Sequence, residues 1–531
     1  KRANRPVSTM SLGSREDGFG DLLFKCLQKY DKRVLQFLDD TNDVNTFSDI
    51  LTRSVRTAIK LKQDGISRGD IVSSCTHNHK NSIIPFIATQ FLGAISATFD
   101  ENIPQLDTVH LLKLVQPKIL FVSENSLEFM EKCLHKANIN TKLVVFGNSK
   151  EYTEFSKYVE PCHEEEQFYP VQIENQKDVA AIVFSSGTTG LPKGICFHHT
   201  SLKNITNLIT TLNEDHVILF YASLYWIGGI IVLIKGITSG CSLVTCKRYD
   251  PAYSWNLIEK YKVTFKFLPS YDAKDFLGHK PKNVDTSSLK VFVTGACAVS
   301  EKLMKGLIEA LPQTRIIQFY GTTEILLFTL FNSMSDEEYE LQLLKPTSCG
   351  KVVSNFKWKI VDINTEKLLG PNEKGEIRVK SEYMMTGYYK MDYSAAFDID
   401  GYFKTGDIAY YDKDECFYIV GRIKEIFKYR GWHIIPAIIE EVLTSHPAVR
   451  EAAIVGVPHE IDVAHPMGIV VLNKGYDHIK TAAIVNFVNE RVSESQKLRA
   501  GVMIVNNIPK TATGKIKSRF LEEIVSKNII Q

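Results

Sequence analysis

Over the first four hundred residues, short apolar runs alternate with longer stretches in which apolar and polar positions recur at helical spacing. The runs His110–Ser123, Thr141–Gly147, Asp178–Ser186, Val263–Ser270, Leu289–Ala296 and Arg315–Gly321 are rich in β-branched and aromatic residues and end at turn formers. Each reads as a buried strand. Thr46–Ile66 has helical periodicity, opens at a Thr/Ser cap and stops at Gly65, which predicts an amphipathic helix. Ile227–Ile237 is apolar apart from Lys235; it is too short to span a bilayer and reads as a buried helix. Strands alternating with helices predict an α/β fold of layered, mostly parallel sheets. In such sheets ligands bind at the carboxyl ends of strands.

The texture changes in Gly401–Gly431, where two strand-like runs are joined by Asp-Lys-Asp-Glu and a basic segment follows. An amphipathic helix with Pro436 near its first turn is expected over Ile435–Val449. Strand-like runs at 451–459 and 467–473 and a helical run at 479–492 complete a small α+β unit. The predicted division is a large domain, residues 1–422, and a small mobile domain, residues 423–531. No internal repeat is visible, and His163–Gln167 reads as a solvated loop.

Length and composition narrow the picture. A chain of 531 residues exceeds one ordinary core. A net charge of +2 gives no field directed at nucleic acid or acidic membranes. The ten cysteines form no Cys-x-x-Cys pair, so reduced intracellular thiols are expected in place of a disulfide framework or zinc site. The pairs His77/His79 and His198/His199 lack a second cluster at zinc-like spacing and read as solvated or locally hydrogen-bonded. The first seventeen residues are basic, then acidic, with no apolar stretch, which makes a poor signal peptide. The chain does not end in Ser-Lys-Leu. The expectation is an intracellular protein, cytoplasmic or peroxisomal, with no integral membrane segment, acting as a monomer or weak dimer.

The chemistry concentrates where the strand Val179–Phe184 opens into Ser185, Ser186, Gly187, Thr188, Thr189 and Gly190, followed by Leu-Pro-Lys193-Gly194. Closely spaced Gly, Ser and Thr after a strand present N–H and hydroxyl donors in a concavity suited to phosphate oxygens, and a lysine supplies charge. Pro192 stiffens a segment that a mere linker would leave loose. It is not a kinase-type P-loop, because Gly194 stands where that motif needs Ser or Thr. Thr513–Lys517 fails the same test, with Ile516 at the hydroxyl position.

Ser185–Gly194 resembles the phosphate loop of the adenylate-forming superfamily, which contains acyl-CoA synthetases, 4-coumarate–CoA ligases and insect luciferases. Phe319–Glu324 is similar to that family's aromatic-Gly-x-Thr-Glu segment, and Tyr402–Asp412 to its Thr-Gly-Asp segment. Gly421–Glu440 resembles its interdomain hinge, and Pro509–Arg519 its C-terminal Pro-Lys-x-x-x-Gly-Lys signature. The motifs follow in the family's order across essentially the whole chain.

The resemblance implies two steps. A carboxylate attacks the α-phosphate of ATP to give an acyl-adenylate, and coenzyme A then displaces AMP. Like charges meet in the first step, so cations and Mg²⁺ are called for. By resemblance, Ser185–Gly190 and Lys193 hold the terminal phosphates. Thr323 binds the α-phosphate and Glu324 holds Mg²⁺. Gln318, Phe319, Tyr320, Gly321 and Thr322 line the nucleotide pocket, Tyr320 lying against adenine, with Gly295, Ala296 and Cys297 opposite. Asp407 accepts the ribose hydroxyls, with Arg422 beside it. Lys515 completes the adenylation site. A rotation about Lys424 then replaces it by Lys428, Gly431 and Trp432, Gly431 letting the coenzyme A thiol approach the backbone.

The acyl pocket is expected to involve His199, Tyr225, Trp226, Gly228 and Gly229. Tyr225 and Trp226 replace the His-His pair usual in luciferases and coumarate ligases, and Leu327 replaces a serine. A greasier pocket suits a medium- or long-chain aliphatic acid. The leading expectation is therefore a fatty acyl-CoA synthetase. The alternative is a luciferase that adenylates a luciferin and oxidises it with O₂ to emit light. A non-catalytic relative would be expected to lack Lys515, Glu324 or Asp407, and all three are present.

Overall fold

The computed structural model describes residues 18–185, 191–208, 212–297, 299–430 and 432–510, together with 516, 520, 521 and 525. Two large sheets form the body of the first domain. One is nine-stranded. Its parallel centre comprises Val34–Leu38, Ser242–Thr245, Val217–Phe220, Phe265–Pro269, Val291–Gly295 and Arg315–Thr322, with antiparallel strands at both edges. The other is eight-stranded, with a parallel run through Ile71–Cys75, Ile119–Ser123 and Val179–Phe184 that turns antiparallel at Gly194–His198 and Gly387–Tyr388. Helices cover the faces, so strands such as Ile119–Ser123 and Val291–Gly295 are buried at every position; this is why they read as continuous apolar runs. A four-stranded antiparallel sheet, Lys357–Val361, Gly375–Lys380, Phe403–Tyr411 and Phe417–Arg422, closes the large domain.

The small domain is built on the long hairpin Val449–His459 and Val463–Leu472. It has apolar clusters of its own on both faces: Ile439, Leu443, Ile484 and Val488 on one, Val455, Ile469 and Ile508 on the other. The chain is thus an α/β protein with parallel sheets and a separate C-terminal domain. Among the described residues, no helix is long and apolar enough to cross a membrane. The ten cysteines are all free.

Most predicted elements stand. The helix Phe47–Gln63 is capped by Thr46, whose side chain and Asp49 form a reciprocal capping box. Pro436 occupies the first turn of Pro436–Ser445. His110–Ser123 is not a single strand. Its first part belongs to the helix Gln105–Val115, with Leu111, Leu112 and Val115 buried on one face. Gln116 then takes a left-handed φ of 45° and Pro117 follows, so the chain leaves the helix and begins the strand Ile119–Ser123. His163–Gln167 forms a 3₁₀ turn, and its Glu165 pairs with Arg56.

Candidate active site

Two strands of the nine-stranded sheet end side by side, and glycine makes this possible. A Cβ on Gly295 would lie 2.4 Å from the Phe319 carbonyl oxygen, and one on Gly321 would lie 1.9 Å from that of Leu326. Ala296 turns away with a φ of 64°. The arrangement brings Ala296, Phe319, Gly321, Thr322 and Thr323 to the wall of a cavity of about 680 Å³. Cys297 follows Ala296 and is half-buried, but it is not part of this wall. The Gln318 N–H donates to Gln342 Oε1 at 3.1 Å. Gln318 Oε1 and Thr322 Oγ1 are buried and have no hydrogen-bond partner among the described residues. Buried polar atoms are normally satisfied; of these two, Thr322 borders the cavity, so its Oγ1 marks where a polar ligand would fit, whereas Gln318 is not on that wall.

Asp407 lies on the strand Phe403–Tyr411, directly opposite Arg422 in register. It is only 3% exposed. Its Oδ2 accepts the Tyr320 hydroxyl at 2.6 Å, and its Oδ1 meets Arg422 Nε at 2.9 Å. A carboxylate offers about four acceptor positions, and these two bonds use one on each oxygen. The neighbouring backbone is held too: the Asp407 N–H donates to Thr405 Oγ1, and the Gly406 N–H to Glu376 Oε1. The charge of Asp407 raises the Arg422 pKa. Burial, reinforced by Asp407, pushes the Tyr320 phenol well above its usual range. Tyr320 is not on the cavity wall; its hydroxyl holds the carboxylate in place.

Glu324 is fixed from a third direction. Gly387–Tyr388 pairs with Ile195–Cys196, carrying the Tyr388 hydroxyl to 3.2 Å from Glu324 Oε1. The Met385 N–H donates to the Glu324 carbonyl at 2.8 Å. Lys193 Nζ stands 4.6 Å from the Tyr388 ring centre. The two ends of the glycine-rich loop are tied together, the Ser185 N–H donating to the Lys193 carbonyl and the Lys193 N–H to Ser185 Oγ. His110 Nε2 stands 3.1 Å from the Pro192 carbonyl, within hydrogen-bonding distance. Ser186, Gly187, Thr188, Thr189 and Gly190 lie outside the described residues, as do Gly431 and Lys515. The sequence motifs did not include Tyr388; its signal was the Gly-Tyr pair after Met384-Met385-Thr386.

The cavity wall is mixed: Ile231, Val232, Phe265, Val293, Ile317 and Leu327 give it an apolar stretch, while Asp100, Glu101, Lys247, Arg248 and Asp272 also line it. Trp226 and Gly228 also face it. His199, Tyr225 and Gly229 do not, contrary to expectation. His199 is fully buried and accepts the Phe19 N–H on Nδ1 at 3.4 Å, and burial lowers its pKa to about 4. Tyr225 packs on Phe184, ring centres 6.0 Å apart, in the core of the eight-stranded sheet. Gly229 lies against the Ser223 carbonyl, which a Cβ would approach to 2.4 Å. The helix begins at Ile227, and its turn sends adjacent residues in different directions. Lys424 sits in the 3₁₀ turn Ile423–Glu425. Lys428 and Trp432 are exposed on the short hairpin Phe427–Tyr429 and Trp432–Ile434.

The AMP-binding enzyme family model matches residues 25–389, and that of the AMP-binding enzyme C-terminal domain matches residues 438–515. The chain is 29% identical to luciferin 4-monooxygenase of Photinus pyralis, over 96% of this chain and 95% of the other. It is 30% identical to 4-coumarate–CoA ligase 1 of Petroselinum crispum, over 90% and 88%. A solved structure of the luciferase-like enzyme from the nonluminescent mealworm Zophobas morio superposes with a TM-score of 0.74 at 37% identity, covering 78% of this chain and 98% of that one. The chain therefore belongs to the AMP-binding enzymes, the adenylate-forming superfamily, in the branch that holds the CoA ligases and luciferases.

Proposed function

We propose that the protein activates a medium- or long-chain fatty acid with ATP and passes the acyl group to coenzyme A, releasing AMP and pyrophosphate. The observation that carries this reading is the apolar stretch of the cavity wall that shares the cavity with Thr322 and Thr323, Thr322 Oγ1 having no hydrogen-bond partner among the described residues. In this reading the acyl chain lies against Ile231, Phe265, Val293 and Leu327. Its carboxylate reaches the strand ends, where ATP is held by the backbone around Gly295–Cys297 and Gln318–Thr323. Asp407 takes the ribose hydroxyls, while Tyr320 and Arg422 hold the carboxylate in orientation. Lys193 and the 185–190 loop bind the terminal phosphates.

Glu324 fits a Mg²⁺ ion as an oxygen ligand, because a carboxylate beside a phosphate site is the donor a hard cation takes; the ion would screen the triphosphate. Lys515 would neutralise charge during adenylation. A swing of residues 423–531 about Lys424 would then exchange it for the face bearing Lys428, Gly431 and Trp432. A pyrophosphate-release screen across carboxylic acids tests the proposal. Aliphatic acids should give AMP and, with coenzyme A, thioester; release confined to aromatic acids, or to none, would refute it. The luciferase reading is favoured by the similarity to the Photinus pyralis enzyme. Photon counting with candidate luciferins and O₂ separates the two.

A further inference from the structure

The tip of the small domain's long hairpin carries three groups that no step above uses. His459 and His465 lie on opposite strands. The register pairs His459 with Val463 and Val457 with His465, so the two histidines are diagonal neighbours on one face. Their rings stack 3.9 Å apart at 18°. Asp462, in the turn between them, is 5% exposed. Its Oδ2 stands 2.7 Å from His465 Nε2 and 3.6 Å from His459 Nδ1. One donor atom from each of the three residues falls within 4.8 Å of the others.

We propose that His459, Asp462 and His465 form a binding site for a borderline divalent ion such as zinc. Around one ion with bonds of about 2.0–2.2 Å, tetrahedral neighbours stand roughly 3.4 Å apart. The two carboxylate–imidazole distances bracket that spacing, but the rings are nearly parallel and a metal binds imidazole nitrogen in the ring plane, so capture requires the exposed His459 ring to turn out of the stack. Two imidazoles and one carboxylate suit Zn²⁺, Ni²⁺ or Cu²⁺ and not Mg²⁺, which sets the site apart from the nucleotide pocket. His459 is exposed, leaving a face open for water as a further ligand. The carboxylate is oriented from behind: its Oδ1 meets Arg430 Nε at 2.6 Å, and the Arg430 N–H donates to the Asp462 carbonyl at 3.0 Å. Such outer hydrogen bonds hold ligands in protein metal sites. The Asp462 N–H donates to His459 Nδ1 at 3.1 Å, and an ion would exchange that bond for a coordinate one.

The test is calorimetric titration of the full chain with Zn²⁺ after chelator treatment, with Co²⁺ as a spectroscopic probe. Wild-type protein should take up one equivalent that the His459→Ala, His465→Ala double variant does not, and Asp462→Asn should bind at least tenfold more weakly. The bound Co²⁺ should show no thiolate charge-transfer band, since the ligands are nitrogen and oxygen. The proposal is overturned if wild-type protein takes up no ion, if the double variant binds as wild type does, or if the ion sits on thiolate. Should the double variant not fold, His459→Gln at the exposed position replaces it. An unchanged melting temperature without metal then shows that lost binding is not lost structure.

Discussion

Two buried charges in the large domain are treated in opposite ways. Asp407 is enclosed together with Arg422 and the Tyr320 hydroxyl, each of its oxygens already engaged. Lys266, on the strand Phe265–Pro269, is fully buried, and its Nζ has no hydrogen-bond partner among the described residues. The rings of Phe276, Tyr249 and Tyr221 lie 5.0, 5.6 and 5.8 Å from that nitrogen. Burial pushes its pKa down to about 7. A charge kept in the interior needs partners. Asp407 has them, whereas Lys266 lacks them and holds its proton less tightly.

The contrast can be broken first at the proposed chemistry. Lys515→Ala should cut acyl-adenylate formation by orders of magnitude yet spare thioester formation from a supplied adenylate, and Lys428→Ala should do the reverse. Damage to the same half-reaction in both variants would remove the swinging-domain account. Next, Asp407→Ala should lower the adenylation rate by roughly 10²–10³-fold, the scale for loss of one oriented polar contact to a transition state. Pyrophosphate exchange measures this, and an unchanged rate would mean the carboxylate faces no nucleotide.

Lys266 sharpens the other half. Its folded pKa lies below the unfolded value of about 10.4. Between about pH 7 and 10 the unfolded chain therefore holds the extra proton, so this residue's contribution makes stability rise with pH across that window. Lys266→Met should remove the slope and raise stability at neutral pH by about 1–4 kcal/mol, read from urea unfolding at several pH values. A variant less stable than wild type at pH 7 would show that the amine has a partner after all. The smallest effect is expected for Tyr388→Phe, which loses one hydrogen bond to Glu324 worth about 1–1.5 kcal/mol. Adenylation should slow by about tenfold with the melting temperature nearly unchanged.

What could be read before the fold was known follows from the range of the interactions. The glycine-rich loop, the Gly-x-Thr-Glu segment and the capped helix at Thr46 are local, and residue spacing exposes them. The contacts that fix the site span long stretches of chain: Tyr320 to Asp407, Tyr388 to Glu324, His110 to Pro192. Sheet register brings those pairs together, and residue order does not reveal it. Tyr225 and Trp226 illustrate the limit. They are adjacent and in ring contact, 4.5 Å between centres, yet Tyr225 is enclosed in the core of the eight-stranded sheet while Trp226, packed on the same core, also borders the cavity. His110–Ser123 misled for a related reason, since apolar residues on one helical face followed by a strand look like one long apolar run.

Arg422 is both the cation gripping Asp407 and the last residue of its strand, and the turn that contains Lys424 begins at the next position. A lever works only if its fulcrum is anchored, and here the anchor is the same carboxylate assigned to the ribose. The tail lobe would pivot from a point whose firmness depends on whether a nucleotide is in place.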